Sequence, residues 1–172
     1  MQQQDDVEKV WHYGLVVDLA DPWLAFSPDG VVRGKDGQYE LVEYKCPYRF
    51  ATGPNGSPFA RSPPEAPDPI YKAEEPPCGG EPIGIPSQYW VQLQVGMWVL
   101  RKMNAGSPLP WARFVVWTPK RVQFMRVPYS PYFHETLLPQ LRVWYYETYL
   151  PARKKQLKGE LEVGTLPLKR KR

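Results

Sequence analysis

Three ionisable residues in the first third of the chain have the types and spacing of a metal-dependent hydrolytic site. Asp29 stands in the sequence Ser-Pro-Asp-Gly, and Glu43 and Lys45 follow in Glu-Tyr-Lys. Two carboxylates and a backbone carbonyl suit Mg²⁺, a hard cation that prefers oxygen ligands and near-octahedral geometry. A bound metal polarises a phosphate and acidifies a water, and a nearby lysine can orient or deprotonate that water. The alternative from these residues alone is a surface hairpin with a solvated Asp, Glu and Lys.

Two turns and one strand are predicted around these residues. The apolar run 24–26 leads into Ser-Pro-Asp-Gly, which is turn chemistry, and a second turn is predicted at 35–37, where Asp and Gly recur. Residues 39–46 are rich in β-formers and predict a strand that Pro47 ends.

The period of the predicted strand places the side chains. Successive side chains alternate between the two faces, so Glu43 and Lys45 point to one face and Tyr44 to the other. A hairpin-like pairing would bring Asp29 near Glu43. The sequence therefore predicts two carboxylates that face one another with an ammonium group beside them.

A helix over residues 87–103 is the third predicted element. It follows a proline, has Ser87 as its predicted N-cap, and contains no proline. At 100° per residue, Gln94 lies about 200° from Gln92, so both cannot reach one metal. We assign Gln92 to the site, with Gly96 allowing a close approach, and interpret Gln94 as an exposed glutamine. The remaining apolar positions are assigned to the core: Trp90, Leu93, Met97 and Leu100.

Three motifs together resemble the YqaJ-type viral recombinase nucleases. They are Ser-Pro-Asp-Gly, Glu-x-Lys-Cys-Pro and Tyr-x-x-Gln-x-Gln-x-x-Met-Trp, and the resemblance covers about residues 11–150. These phage lambda exonuclease-like enzymes belong to the wider PD-(D/E)XK class. The resemblance implies an α/β fold with a restriction-endonuclease-like core, in which helices flank a mixed central sheet. We expect one nuclease-like domain over residues 1–157, with a proline-rich insertion at 47–86 and a basic C-terminal tail at 158–172.

The resemblance also implies roles for individual residues. Asp29 and Glu43 would bind the divalent metal, which is Mg²⁺ with Mn²⁺ as a substitute. The backbone carbonyl of Tyr44 would be a further ligand, and Lys45 would be the catalytic lysine.

The resemblance implies contacts to DNA phosphates for two more positions, and the sequence offers a third candidate. Gln92 matches the first glutamine of the Gln-x-Gln motif, near the metals and the terminal phosphate. Ser27 matches a serine that helps to hold a 5′-phosphate. Arg49 lies in the proline-rich segment beside Lys45, where it could touch phosphates or simply face solvent.

The function implied is a metal-dependent DNA nuclease, most consistent with an exonuclease that hydrolyses linear duplex DNA in recombination or repair. Expected partners are double-stranded DNA, a single-strand annealing protein and further copies of the chain. Relatives carry another acidic residue on a helix well before Ser-Pro-Asp-Gly, and 26 residues precede Ser27, so we expect that helix to be lacking. A catalytically incomplete DNA-binding or recombination-partner module is therefore the alternative, as is a structure-specific endonuclease on the same fold.

Composition and charge agree with a folded domain that has a basic end. The chain has 172 residues, of which 42% are hydrophobic. It shows no apolar run long enough for a membrane span and no signal peptide. Two cysteines, Cys46 and Cys78, cannot form a secreted disulfide framework, so an intracellular location is expected. The net charge is +4, but residues 153–172 alone carry eight Lys/Arg and two Glu. The basic residues 169–172 predict a patch for phosphate contacts or nuclear import, with a solvated, frayed terminus as the alternative.

The remaining segments complete the predicted layout. Residues 10–17 and 23–26 predict strands, and 111–118 with 121–127 predict a β-hairpin. Residues 47–86 hold 11 of the 21 prolines and predict a long extended excursion that could flank DNA. Residues 132–157 carry an apolar stripe with helical spacing, which we interpret as core packing.

Overall fold

A computed structural model describes residues 7–47, 76, 84–104, 106, 108–118 and 122–160. The chain divides into two compact units, residues 1–130 and residues 131–172. The candidate site lies in the first unit. The prediction of one domain over residues 1–157 stays a prediction.

A five-stranded mixed sheet forms the centre of the first unit, with strands in the order β1-β4-β5-β6-β7. These strands are β1 (Val7–Trp11), β4 (Gly30–Gly34), β5 (Tyr39–Lys45), β6 (Trp111–Trp117) and β7 (Val122–Pro128). β5 and β6 pair in parallel, whereas the other three neighbouring pairs are antiparallel. Together with the helices, this sheet confirms the predicted α/β class and the mixed character of the sheet.

The connections explain the two kinds of pairing. A tight turn joins β4 to β5, where Gly37 has a φ of 81° that favours glycine and its amide donates to the Gly34 carbonyl at 2.9 Å. Asp36 Oδ1 supports the same turn by accepting the Gln38 amide at 3.0 Å. β5 and β6 are instead separated by a long connection that contains helix α1 (Ser87–Val99), as parallel neighbours require.

Two short strands form a separate sheet before the site. β2 (Val16–Val17) pairs with β3 (Ala25–Phe26), and neither joins the five-stranded sheet. The prediction of one strand over 10–17 is therefore wrong. β1 pairs with β4 only as far as Trp11 opposite Val31, so β1 ends beside the start of β4, which is Gly30.

Helix α1 packs one face on the sheet and is followed by a 3₁₀ segment, Leu100–Asn104. The predicted core residues on the helix are all buried: Trp90, Leu93, Met97 and Leu100. Gly96 permits the close approach, because an added Cβ would lie 2.7 Å from Leu41 Cδ2 and 2.7 Å from Phe26 Cε1. The assignment of Ser87 as N-cap is wrong, since Pro86 occupies that position and Ser87 is the first helical residue.

The second unit is helical over residues 131–157 and contains two π-helical segments, Phe133–Leu137 and Tyr145–Tyr149. They precede α2 (Leu138–Trp144) and α3 (Leu150–Leu157), each of which has a proline as its second residue. Proline lacks an amide hydrogen and clashes with the preceding turn, and a wider π-turn absorbs that clash without ending the helix. The apolar stripe is only partly core, because Leu141 is 38% exposed.

Several predictions lie outside the described residues. They concern most of the proline-rich segment with Arg49, the tip of the β6–β7 hairpin, and the basic residues 169–172. Within the part of the chain that the structure describes, no helix is long and apolar enough to cross a membrane.

Candidate active site

Asp29 meets β5 directly after the last residue of the β4–β5 ladder. Gly30 is paired with Val42, so the chain brings Asp29 opposite the next residues of β5. Asp29 Oδ2 accepts a hydrogen bond from the Tyr44 amide at 2.7 Å. A side-chain carboxylate thus extends the pairing beyond the strand end, and the prediction that Asp29 lies near Glu43 is confirmed.

Glu43 is the buried centre of the site, with 3% of its surface exposed. Its Oε1 accepts hydrogen bonds from Lys45 Nζ and from Gln92 Nε2, the latter at 2.7 Å. Its Oε2 is also buried and has no hydrogen-bond partner among the described residues. A buried carboxylate oxygen with no partner is costly, which makes Oε2 the natural position for a ligand.

The environment of Glu43 disfavours its charged form. Burial is the largest cause that raises the pKa of Glu43, and the nearby charge of Asp29 raises it further. The hydrogen bond and charge of Lys45 and the hydrogen bond of Gln92 act in the opposite direction, but the pKa still lies above its ordinary value of 4.5. A divalent cation between the two carboxylates would relieve both their repulsion and the burial of a bare charge.

Lys45 is held from two sides. Its ammonium group pairs with Glu43, and its side chain is 20% exposed. The same Nζ lies 4.9 Å from the centroid of the Tyr89 ring. Lys45 and Glu43 therefore share a face of β5, and the exposed Tyr44 side chain confirms that it points the other way.

The two glutamines of α1 diverge as the helical geometry predicts. Gln92 reaches Glu43, whereas Gln94 Nε2 donates to the Pro128 carbonyl at 2.8 Å and Gln94 Oε1 accepts the Ser130 amide at 2.9 Å. The interpretation of Gln94 as exposed is wrong, because its exposed surface is 0%. Its amide binds the backbone just past β7, a contact that helix periodicity alone does not reveal.

The remaining predicted residues are placed as follows. Ser27 and Asp29 are exposed in the stretch between β3 and β4. Tyr44 is fixed by its amide bond to Asp29, while its carbonyl as a metal ligand stays a prediction. Arg49 lies outside the described residues. The structure thus brings Asp29, Glu43, Lys45 and Gln92 together.

Two residues of the site had no assigned role in the sequence. His12 Nδ1 lies 3.3 Å from the carbonyl oxygen of Asp29, so this nitrogen carries the proton if the contact is a hydrogen bond. His12 belongs to no motif, so no sequence pattern provided a signal for its place at the site. Tyr89 had one, because it precedes Gln92 by three residues and so shares its helix face.

The donor set fits a hard divalent cation. No group of three or more His, Cys, Asp or Glu residues with the arrangement of a metal site occurs among the described residues. The available donors are instead the carboxylates of Asp29 and Glu43 and the backbone carbonyl of Tyr44, all of which offer oxygen. Oxygen donors match Mg²⁺ or Mn²⁺, whereas zinc sites favour His and Cys.

A second charged cluster lies on the other face of the sheet. Glu40 pairs with Arg113 and also with Arg126, whose Nη2 lies 2.9 Å from Glu40 Oε1. Glu40 is 3% and Arg113 is 7% exposed, and this largely buried cluster links three neighbouring strands, β5, β6 and β7. Arg126 is therefore part of an ion-pair network on this face.

Comparison with known proteins agrees with the geometry. The family model described as the YqaJ-like viral recombinase domain matches residues 2–106. That range contains Asp29, Glu43, Lys45 and Gln92 and ends before β6. No curated protein matches the chain. Because the matched residues make up more than half of the chain, it belongs to the YqaJ-like viral recombinase domain family.

Proposed function

We propose that this protein is a metal-dependent DNA nuclease, acting as an exonuclease on linear duplex DNA in recombination or repair. The observation that carries the proposal is Glu43, whose Oε1 is held by Lys45 and Gln92 while its buried Oε2 is left for a ligand beside Asp29. Membership of a recombinase family supports the link to DNA recombination. A restriction-endonuclease-like core is the finer fold that we propose for the mixed sheet.

Each residue has a task that its contacts support. Asp29, Glu43 and the Tyr44 carbonyl would hold the cation, and the Asp29–Tyr44 hydrogen bond keeps the two segments in register. When bound, Mg²⁺ supplies charge for the phosphate and acidifies water. Lys45 Nζ, fixed by Glu43, would orient the attacking water, and in its neutral amine form it would accept a proton from that water and return it.

Two polar residues would face the nucleic acid. Gln92 has a second amide hydrogen and a carbonyl oxygen besides the bond to Glu43, so it can also contact a phosphate or a water. Ser27 is exposed two residues before Asp29 and would hold the terminal phosphate. An exonuclease of this kind acts with double-stranded DNA and, in recombination, with an annealing protein and further copies of the chain.

Metal binding is tested without catalysis by titrating Mg²⁺ or Mn²⁺ into Asp29→Asn and Asp36→Asn proteins in a calorimeter. Asp36 is a matched control, because it is also exposed and also accepts a backbone amide, from Gln38 at 3.0 Å. We expect Asp29→Asn to weaken binding by roughly tenfold or more and Asp36→Asn to leave it unchanged. Equal affinities in both variants would refute the metal site.

Cleavage is tested on linear duplexes with 5′-phosphate or 5′-hydroxyl ends and on circular DNA, with Mg²⁺ or EDTA. Lys45→Ala is compared with Lys35→Ala, which removes an exposed lysine from the β4–β5 turn. Loss of a proton-transfer group typically costs about 10²–10⁴ in rate, so we expect Lys45→Ala to lose cleavage and Lys35→Ala to keep it. Consumption of the linear substrates alone would support the exonuclease.

Two other results would redirect the proposal. Cleavage of circular DNA would indicate a structure-specific endonuclease on the same fold. Folded protein that binds DNA without cutting it would refute the enzyme and favour a DNA-binding recombination module.

A further inference from the structure

The ammonium group of Lys45 has a second neighbour that none of the proposed roles uses. The ring of Tyr89 lies 4.9 Å from Lys45 Nζ, within the range of a cation–π interaction. Tyr89 is half-buried on α1, three residues before Gln92. One helix face therefore presents Gln92 to Glu43 and Tyr89 to Lys45.

The Tyr89 ring is itself held by a contact with a second aromatic ring. Its centroid lies 5.5 Å from that of Phe114, which is fully buried on β6. Phe114 is the register partner of Glu43 in the parallel β5–β6 pair. The sheet that sets the position of Glu43 thus also sets the position of the ring, so that carboxylate and ring are fixed relative to each other.

Lys45 needs such a restraint because lysine has a long flexible stem and a compact charge that many partners can attract. Glu43 supplies one contact, but Glu43 is also the proposed metal ligand and cannot serve the lysine alone. An aromatic face attracts the ammonium group but does not offer the oxygen ligands that a hard cation prefers. The face also neither donates a proton to the lysine nor accepts one from it.

We propose that Tyr89 is a positioning residue, whose ring face holds the Lys45 ammonium group beside Glu43. Its importance for cleavage rests on the nuclease function proposed above. The contact between ring and ammonium stands independently of that function, so the two can be tested separately. Tyr89→Phe keeps the ring, whereas Tyr89→Leu keeps an apolar side chain without the π face.

The first measurement is the NMR shift of the Lys45 ε-methylene group in metal-free protein, assigned by its loss in Lys45→Arg. A methylene beside a ring face is shifted upfield by the ring current. We expect that upfield shift in the wild type and in Tyr89→Phe, and its loss in Tyr89→Leu. The control is Tyr39→Leu, which removes a half-buried ring that pairs with Trp11 at 5.6 Å and lies away from Lys45 on β5.

The second measurement is steady-state cleavage of linear duplex DNA. We expect Tyr89→Leu to lower kcat by about three- to tenfold with KM within about twofold, and Tyr89→Phe to stay near wild type. Circular dichroism and thermal unfolding establish that each variant is folded.

Distinct results separate the outcomes. An unchanged Lys45 shift in Tyr89→Leu would overturn the proposal, and so would a Tyr89→Phe variant that loses as much activity as Tyr89→Leu. Wild-type protein that fails to cleave DNA would refute the nuclease function, while the NMR shift would still decide whether Tyr89 holds Lys45.

Discussion

Gln92 and Gln94 are separated by a single residue on one helix, yet the structure assigns them opposite tasks. Gln92 contacts the buried carboxylate of the candidate site, and Gln94 binds the backbone after β7. Leucine is close to glutamine in size but has no amide. We therefore predict that Gln92→Leu impairs activity while Gln94→Leu impairs stability.

The size of the stability loss follows from the contacts. Gln94→Leu removes two hydrogen bonds to the backbone at Pro128 and Ser130, at 2.8 and 2.9 Å. A buried group that loses its partner costs about 1–3 kcal/mol, and the low end applies because Pro128 is exposed and Ser130 half-buried, so water can replace part of each bond. At about 1 kcal/mol for each of the two bonds, the loss is about 2 kcal/mol, which corresponds to about 4–8 °C in Tm for a chain of this size.

Gln92→Leu should cost less stability and more activity than Gln94→Leu. Gln92 is half-buried, and Lys45 still bonds Glu43 Oε1 after the substitution. The expected stability loss is about 1 kcal/mol or less. If the amide also contacts the substrate in the transition state, a hydrogen bond to a charged group worth about 1.5–3 kcal/mol corresponds to roughly a tenfold or greater fall in kcat.

The assay combines thermal unfolding with cleavage rates measured well below the lower Tm. Gln94→Leu should then cleave DNA at a rate within about twofold of wild type, because the remote backbone contact does not touch the reacting groups. Two results would refute the reasoning: a Gln94→Leu protein with wild-type Tm, or a folded Gln94→Leu protein as inactive as Gln92→Leu.

Three further predictions concern packing, pH and metal. Gly96→Ala should lower stability by about 1–3 kcal/mol in urea unfolding, because the new methyl group would meet two core side chains at 2.7 Å; unchanged stability would contradict this packing. Burial raises the pKa of Asp18, but the hydrogen bond and charge of Arg101 and the backbone hydrogen bonds of Ala20 and Asp21 outweigh burial, and the pKa lies below its ordinary value of 3.8. The Asp18–Arg101 ion pair therefore stabilises the fold above pH 3.8, and this stabilisation is lost as pH falls through the lower folded-state pKa of Asp18. The stability difference between wild type and Asp18→Asn, about 1.5–3 kcal/mol at pH 7, should shrink in acid. A difference that is independent of pH would argue against this role of Asp18. Mg²⁺ at about 100 times its Kd should stabilise the wild type by about 2.7 kcal/mol in thermal unfolding, and EDTA should reverse this stabilisation. The Glu43→Gln variant should not be stabilised by Mg²⁺. Equal stabilisation of both proteins would place the metal elsewhere.

Much of the site was predictable because its elements are local. The turn residues before β4, the tight turn at Gly37 and the alternation along β5 together predicted that Asp29, Glu43 and Lys45 would meet. Helix periodicity separated Gln92 from Gln94. These inferences concern neighbours in sequence, where backbone geometry allows few alternatives.

Other features depended on contacts between distant segments. The strand predicted over residues 10–17 ends at Trp11, because β4 provides no partner beyond that point. Gln94 is buried because residues after β7 return to α1. Neither the secondary-structure propensity of a residue nor the periodicity of its segment indicates which distant part of the chain will lie beside it.

The sequence by itself determined the residue types of the site, their faces on strand and helix, and the resemblance to a nuclease family that the family match bears out. The tertiary structure decided which oxygen of Glu43 is bonded and which is left open, how burial and Asp29 raise its pKa, and that Tyr89 stands over Lys45. The physical reason is that chain geometry fixes the direction of a side chain locally. Burial, repulsion and the choice of partner depend on which atoms from distant segments come to surround it.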